Sequence, residues 1–418
     1  MWVEDFLLTE HVVQLEDNFH NNKFLPLRAE NIFNMTDAPN ESQEKSSTEE
    51  KPELSPLRSV HTSNFPEILS TLNCSLVVST YQAGRLILLR PDGEKINTHF
   101  RGFNKPMGVA VTADRTAIGT AMEIIEFRNI PAVAKKIDEN RPPDACFLPR
   151  SISFTGDIQI HEMDWGWSNA INNETNREVE LWFINTRFSC LCTRSADHSF
   201  YPQWRPKFVS AIAPQDRCHL NGLCVIDGKP KYVTALGERD EPAGWRDNKA
   251  SGGIIMDIES NEVIARGLSM PHSPRFHEGK LWVLNSGTGG IGYIDQATGN
   301  YESVTKVPGF TRGFSIQGRF AFIGLSQVRE SAIFSGIEIA QRPESERWSG
   351  VAVVDLARGE TVAWLRFEDA VQEVFAVSVI PNRTWPDLIN DDPELIGFSY
   401  VLPDEALKDV PDDMRSTS

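Results

Sequence analysis

A short motif recurs about six times along the chain, as KPMGVAV from Lys105, IHEMDW from Ile160, HLNGLCV from His219, PHSPRF from Pro271, FTRGFSI from Phe310 and VQEVFAV from Val371. Each copy is a polar cluster running into a short strand-like stretch. Spacings of roughly 40–60 residues identify one supersecondary unit used repeatedly, which no unrelated set of strands would produce.

The segments between the copies repeat as well. ELWFINT from Glu180, KLWVLNS from Lys280 and RFAFIGL from Arg319 are near-copies of a second strand. GGIIMDI from Gly252, GGIGYID from Gly289 and SGVAVVD from Ser349 are a third. NEVIARG, NYESVTK and ETVAWLR follow as a fourth. Short Val-, Ile-, Phe- and Trp-rich runs bounded by Gly, Asp and Pro read as strands and tight turns. Long helical periodicity is missing from the body, and Ile130 to Asn140 is its one short helix candidate.

The predicted fold is therefore all-β: a six-bladed β-propeller of four-stranded antiparallel blades. The meander CSLVVST, RLILLR and INTHF, from Cys74, lacks a first strand, and VQEVFAVSV from Val371 is a first strand with no blade after it. The C-terminal strand is expected to complete the N-terminal blade and hide the open sheet edges. This divides the chain into an N-terminal extension (1–60), a propeller (61–380) and an acidic tail (381–418). Within the extension, Phe6 to Val13 reads as a short amphipathic helix. The polar run from Asn34 reads as a disordered linker, because it is too poor in apolar residues to bury a core.

A net charge of −17 argues against nucleic acid, which needs a basic footprint, and against an anionic membrane surface. No run reaches the roughly 18–20 apolar residues of a membrane span. The acid-interrupted N-terminus lacks the basic start of a signal peptide, so the expected compartment is the cytoplasm. The six cysteines are then expected as buried thiols, with Cys190 and Cys192 on one strand face.

First strands line a propeller's channel, and the loops leading into them share one face with the loops joining second to third strands. That face collects His161, His219, His272 and Glu373, with Arg187, Asn221, Arg275 and Arg312. Two long loops add Trp245 and Arg329. Long loops on a rigid scaffold are where binding and catalysis concentrate.

Three imidazoles and a carboxylate suit one divalent metal ion, so His161, His219, His272 and Glu373 are the candidate ligands. His219, His272 and Glu373 are the candidate catalytic groups. Aligning Gly108, Gly222, Pro274 and Gly313 puts His219 one place before His272, and such a shift reverses a strand side chain. The competing reading is that the histidines hydrogen-bond loop carbonyls. Arg187, Arg275, Arg312 and Arg329 are candidate contacts for an anionic ligand, with Asn221 and Trp245 beside them. Nucleophile-elbow, phosphate-loop and HExxH motifs are missing from the sequence.

STYQAGRLILLR, CHLNGLCV, YVTALGERDEPAGWRDNKASGG, LSMPHSPRFHEGKLWVLNSGTG and VQEVFAV resemble an uncharacterised bacterial conserved-hypothetical family that carries a domain of unknown function. The resemblance runs from about Asn73 to Pro381. It implies a six-bladed propeller similar in architecture to NHL-repeat and gluconolactonase-like propellers, and it implies no reaction. Gluconolactonase-like propellers hold a metal with carboxylate and amide groups. Here Asn221 and Glu373 stand at comparable points, and histidines replace much of the rest.

Two functions are expected to compete. One is a metal-assisted enzyme acting on a small polar or anionic substrate such as a sugar acid, lactone or peptide. The other is a non-catalytic propeller that binds a peptide, carbohydrate or partner protein through the same face.

Overall fold

In each repeat the chain crosses a sheet four times, and the strand pairings close those sheets into a ring. The computed structural model describes residues 57–168, 178–328 and 334–411, all within the compact unit Leu54–Ser418. The Phe6–Val13 segment, the polar run from Asn34 and Arg329 lie outside the described residues.

Six sheets are present among the described residues. Blades 3, 4 and 5 are simple antiparallel meanders. Blade 3 begins at Ile160–Trp167, blade 4 at Leu220–Ile226 and blade 5 at Pro271–His277. Blade 2 begins at Val109–Val111 and blade 6 at Phe310–Gln317. The blade 1 meander takes its innermost strand from the far end of the chain. Ala376–Pro381 pairs antiparallel with Cys74–Thr80, from Ala376 opposite Ser79 to Pro381 opposite Cys74. The predicted six-bladed propeller and its C-terminal closure are the observed fold.

Two blades carry a fifth strand that the four-strand repeat does not anticipate. Ser59–His61 pairs antiparallel with the outer edge of blade 6. Pro386–Leu388 pairs parallel with Ala145–Phe147 of blade 2. The folded unit thus extends past both boundaries placed at 61 and 380, because each flanking segment satisfies an otherwise open edge. Trp385 holds the second of these in place, with the guanidinium carbons of Arg90 and Arg141 at 4.1 and 3.3 Å from its ring centre.

The core lies between blades. Trp182, Leu191, Leu220, Val233 and Met256 form one buried layer between blades 3 and 4, and Leu284, Phe314, Ile323 and Val354 form another between blades 5 and 6. Helix Phe65–Thr71 seals blades 1 and 6, with Phe65 6.4 Å from Phe322. The expected helix after Ile130 is a 3-10 turn, Pro131–Val133, followed by one α-turn, Ala134–Ile137. All six cysteines are buried and unbridged, and the Cys190 and Cys192 sulfurs lie 3.4 Å apart.

Where first strands crowd the channel, backbone approach dictates the residue. A Cβ on Gly108 would sit 2.0 Å from the His161 carbonyl oxygen. Gly313 has φ of 77°, and a Cβ there would lie 2.3 Å from the Val377 nitrogen. Glycine is the residue that meets both constraints.

Candidate functional site

All six blades contribute to one cavity of about 540 Å³ on the channel axis, within the roughly 300–1,000 Å³ range of small-molecule sites. Loops leading into first strands supply Lys105, Met107, Gln159, Asp216, His219, Met270, Glu373 and Phe375. The first strands themselves add His161, His272, Phe310 and Arg312. Loops joining second to third strands supply Tyr81, Ala121, Met122, Trp245, Arg246 and Phe334.

The three histidines meet here by two different routes. Ile160 pairs with Asn185, Leu220 with Ala235 and Pro271 with Asn285. The next residues, His161, Asn221 and His272, therefore occupy one position in three successive blades. His219 lies two residues earlier, at a left-handed backbone position (φ 49°) matched by Gln159 (49°) and Met270 (48°). The register argument that turned His219 away from the cavity is corrected by this geometry. A left-handed residue just before a strand does not follow the strand's alternation. Ring centres are 5.0 Å apart for His161 and His219, and 6.5 Å for His161 and His272.

Each imidazole has its Nδ1 committed. His161 Nδ1 is 2.8 Å from the Gln159 carbonyl and 2.7 Å from Thr186 Oγ1, whose hydroxyl donates to the Leu220 carbonyl at 2.6 Å. His272 repeats the arrangement, 2.9 Å from the Met270 carbonyl and 3.0 Å from Ser286 Oγ. A carbonyl can only accept, so both rings carry their proton on Nδ1 and present a bare Nε2. Burial, reinforced by the Arg312 cation, holds both well below the ordinary histidine value. His219 Nδ1 lies 2.9–3.0 Å from the Asp216 carboxylate, which also accepts from Trp245 Nε1 at 3.0 Å.

Arg312 closes the deep end. It donates to Glu373 at 3.2 Å and to His161 Nε2 at 2.7 Å, and its guanidinium carbon lies 3.6 Å from the Phe375 ring centre. Burial raises the Glu373 carboxyl against the pull of Arg312, and raises the Tyr81 phenol beside it.

This network disassembles the expected metal set. His161 Nε2 already accepts from a guanidinium, and Glu373 is spent on the same cation. Only His219 and His272 keep an uncommitted nitrogen, and two ligands do not make a closed site. Among the described residues no group of three or more His, Cys, Asp or Glu side chains is placed to hold a metal ion.

Three of the proposed ligand contacts are also engaged elsewhere. Arg187 pairs with Asp157 at 2.6 Å and does not line the cavity, although Asp157 does. Arg275 lies deeper in the channel, donating to Glu162 at 2.7 Å and to the Leu223 and Pro274 carbonyls. Asn221 donates to the Pro271 carbonyl at 3.1 Å and accepts from Thr234 Oγ1 at 2.6 Å, tying blades 4 and 5 together. Below the cavity, burial lifts the Asp164 carboxyl to about 6 despite nearby Arg275.

Trp245 does line the cavity, 4.5 Å from the His219 ring centre. It is held by a small apolar cluster under the two long loops, with Leu236, Met270, Phe310 and Ile339. Sequence reasoning passed over Asp216, whose signal was its place three residues before His219. It also passed over Tyr81, Lys105 and the aromatic wall of Phe310, Phe334 and Phe375.

Residues 63–389 match the family described as Domain of unknown function (DUF4915). The chain belongs to that family. Among solved structures it is similar to a chain of a nidogen/laminin complex, with 8% identity, a TM-score of 0.46, and coverage of 74% of this chain and 99% of that one. It is also similar to a protein of unknown function from Bacteroides caccae, with 10% identity, a TM-score of 0.44, and coverage of 73% and 98%. No curated protein matches the chain. No helix among the described residues is long and apolar enough to cross a membrane.

Proposed function

We propose that this DUF4915 propeller is a small-molecule enzyme in which His219, oriented by Asp216, acts as general base in the central cavity. One observation carries the reading: an imidazole lining a cavity of ligand size has its Nδ1 fixed on a carboxylate. That pairing leaves Nε2 as the proton acceptor and stabilises the imidazolium formed on proton uptake. Among the described residues no hydroxyl or thiol hydrogen-bonds His219. The attacking oxygen is therefore assigned to a bound water or to the substrate. In hydrolysis of an ester, lactone or amide, Nε2 takes the water proton as the oxygen adds to the carbonyl carbon. The proton then passes to the departing oxygen or nitrogen.

His272 and Glu373 take supporting roles in this proposal. His272 offers a neutral acceptor to a substrate N–H or O–H. Glu373 fixes Arg312 and, through it, His161. The second reading is binding without turnover. It is favoured by the Arg312, Glu373 and His161 network, whose groups are already satisfied by one another, as in a rigid recognition site. Six buried, unbridged cysteines support a reducing, cytoplasmic setting, and the net charge supports a partner other than nucleic acid.

The test is hydrolysis of a panel of chromogenic esters and lactones by the wild type, His219→Ala, Asp216→Asn and Arg187→Ala. General-base loss should lower kcat by about 10²–10⁴-fold in the first two variants and leave Arg187→Ala unchanged. Turnover that is indifferent to His219→Ala sinks the catalytic reading. Ligand binding with no turnover by the wild type selects the second.

A further inference from the structure

We infer that the cavity takes an amphipathic organic anion, charged head outward, with Lys105 and Arg246 receiving the charge. The inference rests on the small-molecule reading above and adds the ligand's charge and orientation.

The cavity is graded from mouth to floor. Lys105 and Arg246 line it while remaining exposed, so they stand at its solvent side, whereas His272 is 5% exposed. Neither cation has a carboxylate partner among the described residues. Arg246 is instead poised over Trp245, 5.5 Å from its ring centre. The exposed carboxylate at the same level, Asp157, is neutralised by Arg187. Among the described residues, the mouth therefore holds two cations without an ion-pair partner, on a chain whose net charge is −17.

The interior is unsuited to an anion. His272 and His219 present accepting nitrogens there, Asp216 and Glu373 are carboxylates, and the Arg312 charge is matched by Glu373. An anionic head placed deep would face lone pairs and like charge with no unspent cation to meet it. Between floor and mouth the walls are aromatic and thioether surface, which accepts flat or flexible apolar groups. The complement is a carboxylate, sulfonate or phosphate at one end, an aryl or acyl body, and an O–H or N–H along it for an imidazole Nε2.

Two fluorescent probes separate these terms. 1-Anilinonaphthalene-8-sulfonate has the anionic head, the ring body and one N–H; N-phenyl-1-naphthylamine lacks only the sulfonate. Each is titrated against the full chain, a Lys105→Ala, Arg246→Ala double variant, and two cavity-filling variants, Ala121→Trp and Met122→Trp. Met122 is 47% exposed, so its substitution leaves the fold intact if Ala121→Trp does not.

The double variant should weaken sulfonate binding by about tenfold, the loss expected for two exposed charge contacts. The neutral probe should change by less than about twofold. Both cavity-filling variants should weaken both probes. If those variants block both probes but the double variant treats the two probes alike, the charge assignment is wrong and the small-molecule reading stands. If neither probe responds to cavity filling, the probes bind elsewhere and both readings fall.

Discussion

His219 and His272 face one cavity from unlike supports, a carboxylate in one case and a backbone carbonyl in the other. Under the proposed general-base mechanism Trp245 has a positioning role, since its N–H shares the Asp216 carboxylate with His219. Trp245→Phe keeps the ring and removes that donor. It should lower kcat about three- to tenfold with little change in KM, the signature of a disturbed orienting shell; an effect on KM alone would place Trp245 in ligand contact instead. His272 makes a separate prediction about stability. Its folded pKa lies below its unfolded one, so the unfolded chain binds the extra proton and stability falls as pH drops below about 6.5. Glu373 and Asp164 carry raised values and act with the opposite sign at lower pH. The comparison of wild type with His272→Gln isolates the histidine. Urea unfolding at pH 7.5 and 5.5 should show the variant losing less stability than the wild type, by up to about 1.4 kcal/mol per pH unit; equal losses would contradict a buried neutral ring. Much of this shell was legible in the sequence as residue types gathered on one face. Asp216 was not, because its meaning depends on the left-handed turn at His219, which an alternating strand pattern does not encode.

At the level of elements, glycine contacts and edge pairing set the tolerances. Gly108→Ala drives a methyl into the His161 carbonyl and should destabilise by roughly 2–4 kcal/mol in denaturant unfolding. A variant within about 0.5 kcal/mol of wild type would mean that blades 2 and 3 can separate locally. Truncations address closure. A chain ending at residue 370 loses the innermost strand of blade 1 and should fail to fold. One ending at 382 keeps that strand and loses the Pro386–Leu388 pairing together with the Trp385, Asp387 and Leu388 contacts around it, so it should remain folded with a lowered Tm. A stable monomer ending at 370 would overturn the closure. The four-strand repeat was readable because near-copies of the same β-rich runs, fenced by turn residues, recur along the chain at regular spacing. The two fifth strands are three residues each and have no counterpart in the other repeats. They are recruited by open edges at the other end of the chain.

For the molecule as a whole, the ring links every blade to two neighbours through buried layers, and the closing pairs join the two ends of the ring within blade 1. Unfolding should therefore be one cooperative event. Far-ultraviolet dichroism and tryptophan fluorescence should give coincident denaturation curves, and separated midpoints would show blades melting independently. The cavity belongs to this scale too, since no single blade forms it. Its existence followed from the repeat, whereas its chemistry depends on contacts between residues far apart in sequence, such as Arg312 with His161, 151 positions apart.

The closing strand also sets a timetable. Ser79 waits for Ala376, 297 residues downstream, to receive its partner. At about 5–20 residues per second of synthesis, the edge of Cys74–Thr80 stays unpaired for roughly 15–60 s on a nascent chain. For that interval an apolar strand whose every residue ends up buried is open to any other β-edge nearby. Newly made protein should stay vulnerable to aggregation until Ala376–Pro381 has been made and has paired. A folding helper that recognises extended apolar segments would act on this strand first.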